Sequence, residues 1–186
     1  DCSSDNTVEI AKTYHDRLNL KIFVNQKNLG FTKNFESVLS KATGDFIAPC
    51  DQDDIWRNDK LELLLCNIRD SSLIYSNSLL INENGQSLDK TLSQKLRNNF
   101  IDSCSGLSFF FDNTVSAHAI LFKKELLAFI FPFPKITYFD SFIAATSASF
   151  GSVRFLDENL VLYRQHQTNT LSKIKSKKLS IFEKIK

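Results

Sequence analysis

Along the first half of the chain the apolar residues keep changing period, and that alternation restricts the fold more than any other feature. "NTVEIAKTYHDRL" (6–18) carries a helical pattern, with Ser4 or Asp5 placed to cap it. "LKIFVN" (20–25) reads as a short strand rich in branched and aromatic residues. In "FTKNFESVLSKAT" (31–43), Phe31, Phe35, Val38 and Ala42 share one helical face, and Gly44 closes the element. "DFIAP" (45–49) is a continuous apolar run, the mark of a strand buried on both sides. Leu61, Leu64, Leu65 and Ile68 form another helical stripe, "SLIYSNSLLIN" (72–82) another strand, and Asn84-Gly85 a turn. Strand and helix in alternation predict right-handed crossovers and a mostly parallel sheet with helices on both faces.

The second half is less regular. Residues 86–113 read as a loop-rich insertion with short helices. "VSAHAILF" (115–122) predicts a strand, "DSFIAATSASF" (140–150) a helix, and "VRFLDENLVLYRQH" (153–166) a strand that begins irregularly. No internal repeat or low-complexity linker divides the chain. At 186 residues it suits one α/β domain with a sizeable core.

Within that pattern "APCDQDDIW" (48–56) stands out, with three carboxylates crowded between an apolar run and the single tryptophan. Like charges repel and each resists desolvation, so the cluster is either a solvated turn or a cation site. Open parallel sheets bind ligands beyond the carboxyl ends of their strands, where this cluster falls. In an extended segment Asp51 and Asp53 point the same way and can converge on one cation. Oxygen ligands of this kind suit Mg2+ or Mn2+, especially with substrate phosphates completing the shell. A calcium loop of the EF-hand type fails on detail: Ile55 falls at the fifth position, and Trp56 at the sixth, which calls for glycine. The alternative is a turn whose acids favour the N-terminus of the next helix.

Composition narrows the remaining classes. A net charge of +2 carries no signature of nucleic-acid binding, and none is expected as a partner. The four cysteines (Cys2, Cys50, Cys66, Cys104) form no CxxC pair, so neither a zinc site nor a disulfide scaffold is indicated. No apolar stretch approaches the roughly 18 residues of a membrane span, and no signal peptide is visible. The chain opens at Asp1 inside a polar turn-like run and has no methionine, which reads as an excerpt of a longer protein. At the other end "KIKSKKLSIFEKIK" (173–186) sets six lysines against one glutamate, with apolar residues interleaved. Either it is a solvated tail, or a basic amphipathic helix lying on an anionic membrane surface or a partner.

The segment "DQDDIWRNDKLE" resembles the metal-binding segment of family 2 glycosyltransferases of the GT-A fold, particularly bacterial rhamnosyltransferase-like members. "DCSSDNT" is similar to the DDGSxDxT turn from its second acid onward, and "NQKNLGFTKNFESVLSKATGDFI" to the NxGxxxNxxxxLxxAxGDYI stretch. "YFDSFIAATSASFGSVRFLDENLVLYRQHQTN" resembles the late acid, helix and YRxHxxN ending. The four blocks fall in the family's order across roughly residues 1–170, with 171–186 left as a tail.

The resemblance implies an inverting, metal-dependent transfer of a sugar from a nucleoside diphosphate sugar to an acceptor hydroxyl. It also implies a place in bacterial surface-polysaccharide assembly, with a glycan or lipid-linked glycan acceptor, at the cytoplasmic face of the membrane. By resemblance Asp53 is a ligand of Mn2+ or Mg2+, Asp51 contacts the ribose or helps hold the metal, and His166 binds the metal or the diphosphate. Asp140 is the general base, although an aspartate at that place is also an ordinary helix cap. Asp54 is left as a possible cap of the following helix. Asp1, Ser3, Asn28 and Gly30 fall on the nucleotide-binding side, and Trp56 on the acceptor side or in packing. His15 and His118 match nothing in the family and read as structural.

Two departures stand out. The family's first strand and helix, which precede the DDGS turn, are missing from this stretch, and Ala117 stands where relatives commonly carry glycine. A nucleotidyltransferase would need a glycine-rich basic loop near its start, which is not seen; an inactive sugar-nucleotide-binding or scaffolding domain stays as the other reading.

Overall fold

A computed structural model describes residues 1–111, 114–135 and 138–166. The tail at 171–186, and with it the domain boundary at residue 170, lies outside the described residues. No described helix is long and apolar enough to cross a membrane.

The chain opens with α1 (Thr7–Lys12), which buries none of its residues. The helix predicted over 6–18 therefore stops early. Beyond Lys12 the chain runs in i→i+3 turns, with Thr13, Tyr14 and His15 amides bonded to Ile10, Ala11 and Lys12 carbonyls. A short helix with no buried face has little to prolong it. Residues 20–25, predicted as a strand, join no ladder among the described residues. Next come α2 (Phe31–Leu39), β1 (Phe46–Ile47), β2 (Ile55–Trp56), α3 (Lys60–Ile68) and the long β3 (Leu73–Ile81). The insertion contributes β4 (Ser87–Thr91), α4 (Leu92–Leu96) and α5 (Gly106–Phe111). The remaining elements are β5 (Ile120–Lys123), α6 (Leu127–Ile130), α7 (Phe139–Phe150) and β6 (Val153–Arg164). The first residues of the predicted 115–122 strand form a 3-10 turn, Ala117–Ala119, instead.

The sheet runs in the order β1-β5-β3-β6-β2, with β4 also on β3. It is mixed, which corrects the expectation of a mostly parallel sheet. Only β3 and β6 pair in parallel; the other four pairings are antiparallel. The reason lies in the insertion, where a β4 hairpin and short helices replace a single crossover helix, so β5 returns against β3.

Helices do cover both faces, as the alternation along each strand requires. Leu73, Tyr75, Ile120, Phe122 and Val153 face a cluster that includes Leu39 of α2, Phe109 of α5 and Phe139, Ile143, Ala144 and Ala148 of α7. The intervening Ile74 and Leu121 point the other way, onto Leu64 and Ile68 of α3. The parallel ladder shifts register twice, at Ser76/Asn77 and Asn77/Ser78. Leu160, the residue skipped at the second shift, turns into the α3 cluster with no exposed surface. Such bulges re-aim side chains and are common beside functional sites.

One phenol helps pin the insertion to the sheet. Tyr75 Oη accepts from Ile101 N at 2.9 Å and donates to Ile101 O at 3.1 Å. Its ring packs on Phe100 and Phe155 at 5.6 and 5.2 Å. Tyr75→Phe keeps the ring and orphans both backbone groups of Ile101. The expected loss is about 0.5–1.5 kcal/mol, the usual net worth of a hydrogen bond whose partner stays within reach of water. Urea unfolding should show it as a lower midpoint with an unchanged slope.

Candidate active site

The acidic segment lies between β1 and β2, and β2 fixes where it goes. Ile55 and Trp56 pair antiparallel with Leu162 and Val161, which sets the turn beside the C-terminal end of β6. There Arg164 holds it by two contacts and ties it to the chain beyond β3 by a third. Its backbone N–H donates to Asp54 Oδ1 at 2.9 Å, its Nε to the Asp53 carbonyl at 2.8 Å, and its Nη1 to the Glu83 carbonyl at 2.9 Å. A planar fork of donors suits such a junction better than a single ammonium does.

Residues 52–53 form a turn and not the extended strand expected to align Asp51 with Asp53. The turn sorts its acids into two groups. Asp53 Oδ2 lies 2.8 Å from His166 Nε2, both side chains about a quarter exposed. Asp51 and Asp54 instead converge on His118, with His118 Nδ1 at 3.9 Å from Asp51 Oδ2 and 3.6 Å from Asp54 Oδ2. The ligand atoms of this inner trio lie within 4.8 Å of one another.

Burial decides the chemistry of the inner trio. The Asp54 side chain has no exposed surface, and its Oδ2 has no hydrogen-bond partner among the described residues. Desolvation pushes its carboxyl up to about 7, against the lowering effect of the Arg164 amide. Asp51 is pushed up to about 6 by burial and then by the charge of Asp53. Burial, helped by the charge of Lys60, drives His118 down to about 3. The histidine is therefore neutral, and its approach to the two acids is not an ion pair. Its Nε2 meets Ser78 Oγ at 3.0 Å and its ring stacks on Tyr163 at 4.4 Å.

The nucleotide-side candidates gather elsewhere. Asp1 Oδ1 accepts from the Leu29 amide and Oδ2 from the Gly30 amide, each at 2.9 Å. Asn28 Oδ1 accepts from the same Gly30 amide at 2.9 Å. Gly30 has φ +80, a left-handed value that favours glycine, and is the residue from which α2 starts. Asp1, Asn28 and Gly30 thus form one clamp. Ser3 lies exposed outside it. Trp56 is partly buried, with one ring face occupied by the Lys60 ammonium at 3.3 Å.

Asp140 stands in the first turn of α7, while Tyr138 takes the cap position. The helix starts at Phe139, a buried aromatic, so the alternative reading of Asp140 as the cap residue is displaced by two positions. Asp140 Oδ1 accepts from the Ser141 amide at 2.8 Å.

A divalent cation fits the outer pair. A carboxylate oxygen and an imidazole nitrogen 2.8 Å apart match neighbouring ligands of an octahedral ion with bonds of about 2.1 Å. Their partial exposure leaves room for a substrate's oxygens. The inner trio offers donors too: Asp54 and His118 are enclosed, while Asp51 keeps a side chain about a quarter exposed.

Sequence reasoning missed three residues here. Lys60, which the sequence did not single out, is fully buried. His118, read as structural, faces two of the three acids. Arg164 passed unnoticed inside "YRQH", although its neighbour in the matched motif was the available signal.

Fold and site together define a GT-A-type α/β domain with an acidic turn opposed by a late histidine. Comparison with known proteins agrees. The profile of glycosyl transferase family 2 matches residues 1–129, and the chain belongs to that family. An uncharacterized glycosyltransferase of Nostoc sp. is 26% identical over 179 residues, covering 91% of this chain and 55% of its own length. Another, from Methanocaldococcus jannaschii, is 28% identical over 192 residues, covering 96% of this chain and 62% of its own. Among solved structures, S. aureus TarS 1–349 in complex with UDP-GlcNAc superposes with a TM-score of 0.69 at 20% identity. That match covers 95% of this chain and 51% of the other. The chain therefore spans little more than half the length of the relatives it matches.

Arg164→Lys tests the three-way junction. A compact ammonium cannot span the Asp53 and Glu83 carbonyls that the guanidinium meets through Nε and Nη1, so stability should fall by about 1–3 kcal/mol. Calorimetric melting of the two proteins measures the difference.

Proposed function

We propose that this domain transfers a sugar, a hexose or rhamnose, from a nucleoside diphosphate sugar to an acceptor hydroxyl, with inversion at the anomeric carbon. The observation that carries the reading is the meeting of Asp53 and His166 across 113 residues of chain at an accessible edge of the sheet. Two such ligands, one anionic and one neutral, suit Mn2+ or Mg2+ bound jointly with a diphosphate. When bound, the ion offsets charge gathering on the departing diphosphate. That TarS, which shares this fold, is seen with UDP-GlcNAc supports a nucleotide-sugar donor.

The chain's own residues supply the rest. Asp53 and His166 hold the cation. Asp51, partly exposed beside them, faces the ribose. The clamp of Asp1, Asn28 and Gly30, with Ser3 at its margin, forms the nucleotide side, and Trp56 lies toward the acceptor. Asp140 takes the proton of the attacking hydroxyl on the face of the sugar opposite the diphosphate. A glycan or lipid-linked glycan acceptor in surface-polysaccharide assembly belongs to the same proposal. So does a place at the inner face of the plasma membrane through the basic stretch 173–186, which rests on its sequence alone.

Two substitutions test the assignments. Asp53→Asn should abolish Mn2+-dependent UDP binding in calorimetry while leaving the melting temperature nearly unchanged; retained metal dependence would remove Asp53 from the site. Asp140→Asn is nearly isosteric and keeps a polar side chain in the first turn of α7. Stability should shift by only a few tenths of a kcal/mol, roughly the exposed helix-dipole contribution. Donor affinity should persist, and transfer should fall by about two to four orders of magnitude, the usual share of a positioned base. Transfer at the parent rate would reduce Asp140 to a structural acid. Donor binding with no transfer in the parent chain would instead favour a sugar-nucleotide-binding domain.

A further inference from the structure

Lys60 occupies a place that packing alone would not give to a lysine. It has no exposed surface. It is also the first residue of α3, where the helix dipole disfavours a cation. A buried ammonium is costly unless it is paired, and its desolvation shows in a pKa held down to about 7. A leucine or methionine would fill the same volume without these costs.

What surrounds Lys60 accounts for its presence. Its Nζ sits 3.3 Å from the centroid of the Trp56 ring and donates to the His118 carbonyl at 2.6 Å. One side chain thereby joins α3, β2 at the end of the acidic turn, and the 3-10 turn before β5. Its charge is felt at Cys50, Asp51, Asp54 and His118. Asp51, Asp53 and Asp54 repel one another across a turn of four residues, and Lys60 is the buried cation placed beneath them.

We propose that Lys60 is the positioning residue of the acidic turn: its ammonium, lodged between the Trp56 ring and the His118 carbonyl, holds residues 51–56 in the arrangement that presents Asp53 to His166. It touches neither donor nor cation and acts through the turn. The consequence for cation affinity rests on the reading of Asp53 and His166 as ligands; the ordering of the turn does not.

The test uses the full chain with Lys60→Met and Lys60→Arg. Hydrogen exchange reads the amides of 51–54, emission reads the single tryptophan, and calorimetry reads Mn2+ in the presence of UDP. In Lys60→Met the turn amides should exchange about tenfold faster than in the parent, in line with the loss of a desolvated cation–π contact. Trp56 emission should shift to the red, and Mn2+ should bind about tenfold more weakly. Lys60→Arg, which keeps the charge and the ring contact, should stay near the parent. A lysine acting only as a nearby positive charge gives the opposite result, tighter Mn2+ binding on its removal with unchanged exchange, and that overturns the proposal. So does unchanged exchange and emission in Lys60→Met. If the parent binds no Mn2+, the cation reading of the site fails, and exchange with emission decides the role of Lys60. Should Lys60→Met not fold, Trp56→Leu takes its place: faster exchange at 51–54 supports the clamp, and parent-like exchange overturns it.

Discussion

The parallel ladder between β3 and β6 is the constraint on which the rest of this structure depends. It joins Leu73–Ile81 to Val153–Arg164, the longest pairing in the sheet. Every other strand attaches to one of its two members, apart from β1, which attaches through β5. Its far end also delivers the site. Because β6 runs on to Arg164 beside Ile81, the arginine reaches the carbonyls of Asn82 and Glu83 on one side and the acidic turn on the other. His166 follows two residues later, level with Asp53. The bulges inside the ladder set this reach. Without the residues they add to β6, Arg164 would fall out of step with Ile81 and with the carbonyls of Asn82 and Glu83 that follow it.

The same ladder carries polar groups through the middle of the molecule. Ser76, Asn77 and Ser78 are buried in β3, a placement that an apolar core would not choose. Asn77 is committed to the insertion: its Nδ2 donates to Ser93 Oγ at 2.9 Å, and its Oδ1 accepts from Ser93 N. Ser78 holds His118, and His118 stands under Asp51 and Asp54. A buried polar group is tolerable when it is satisfied; Asn77 and Ser78 find their partners in the insertion and the site, whereas Ser76 Oγ has none among the described residues. The central strand thus couples the order of residues 86–111 to the order of the turn, in addition to building the core.

Much of this was legible in the sequence, and the failures have physical causes. The helical stripe at 61–68, the strand at 72–82 and the helix at 140–150 emerge close to their predicted limits, because each buries a face long enough to fix its period. Asp53 and His166, both singled out by the matched motifs, lie 2.8 Å apart. Strand direction was not legible, since it depends on which long-range partner β5 finds, and local alternation carries no such information. The strand at 20–25 and the end of the first helix failed for a different reason, as no described residue of α1 is buried. Lys60 and His118 were hidden by their types. A lysine at a helix start normally reaches solvent, and a histidine in an apolar run normally packs; only the fold reveals that both lie beneath the same turn.

Burial, more than residue type, separates the acids of this turn. Asp53 and Asp54 are adjacent, both aspartates, and both anchored by the same arginine. Yet Asp53 turns outward, about a quarter exposed, against an imidazole with similar access. Asp54 turns inward, with no exposed side-chain surface, and its carboxyl is pushed up to about 7. One carboxylate stays open to solvent beside an imidazole, while its neighbour is enclosed beneath it. Environments that push like groups apart in this way let one short segment serve two purposes. The arrangement also explains the crowding. Three acids on one exposed surface would repel and scatter, whereas here Asp54 is enclosed while Asp51 and Asp53 stay partly open, and a buried lysine lies nearby.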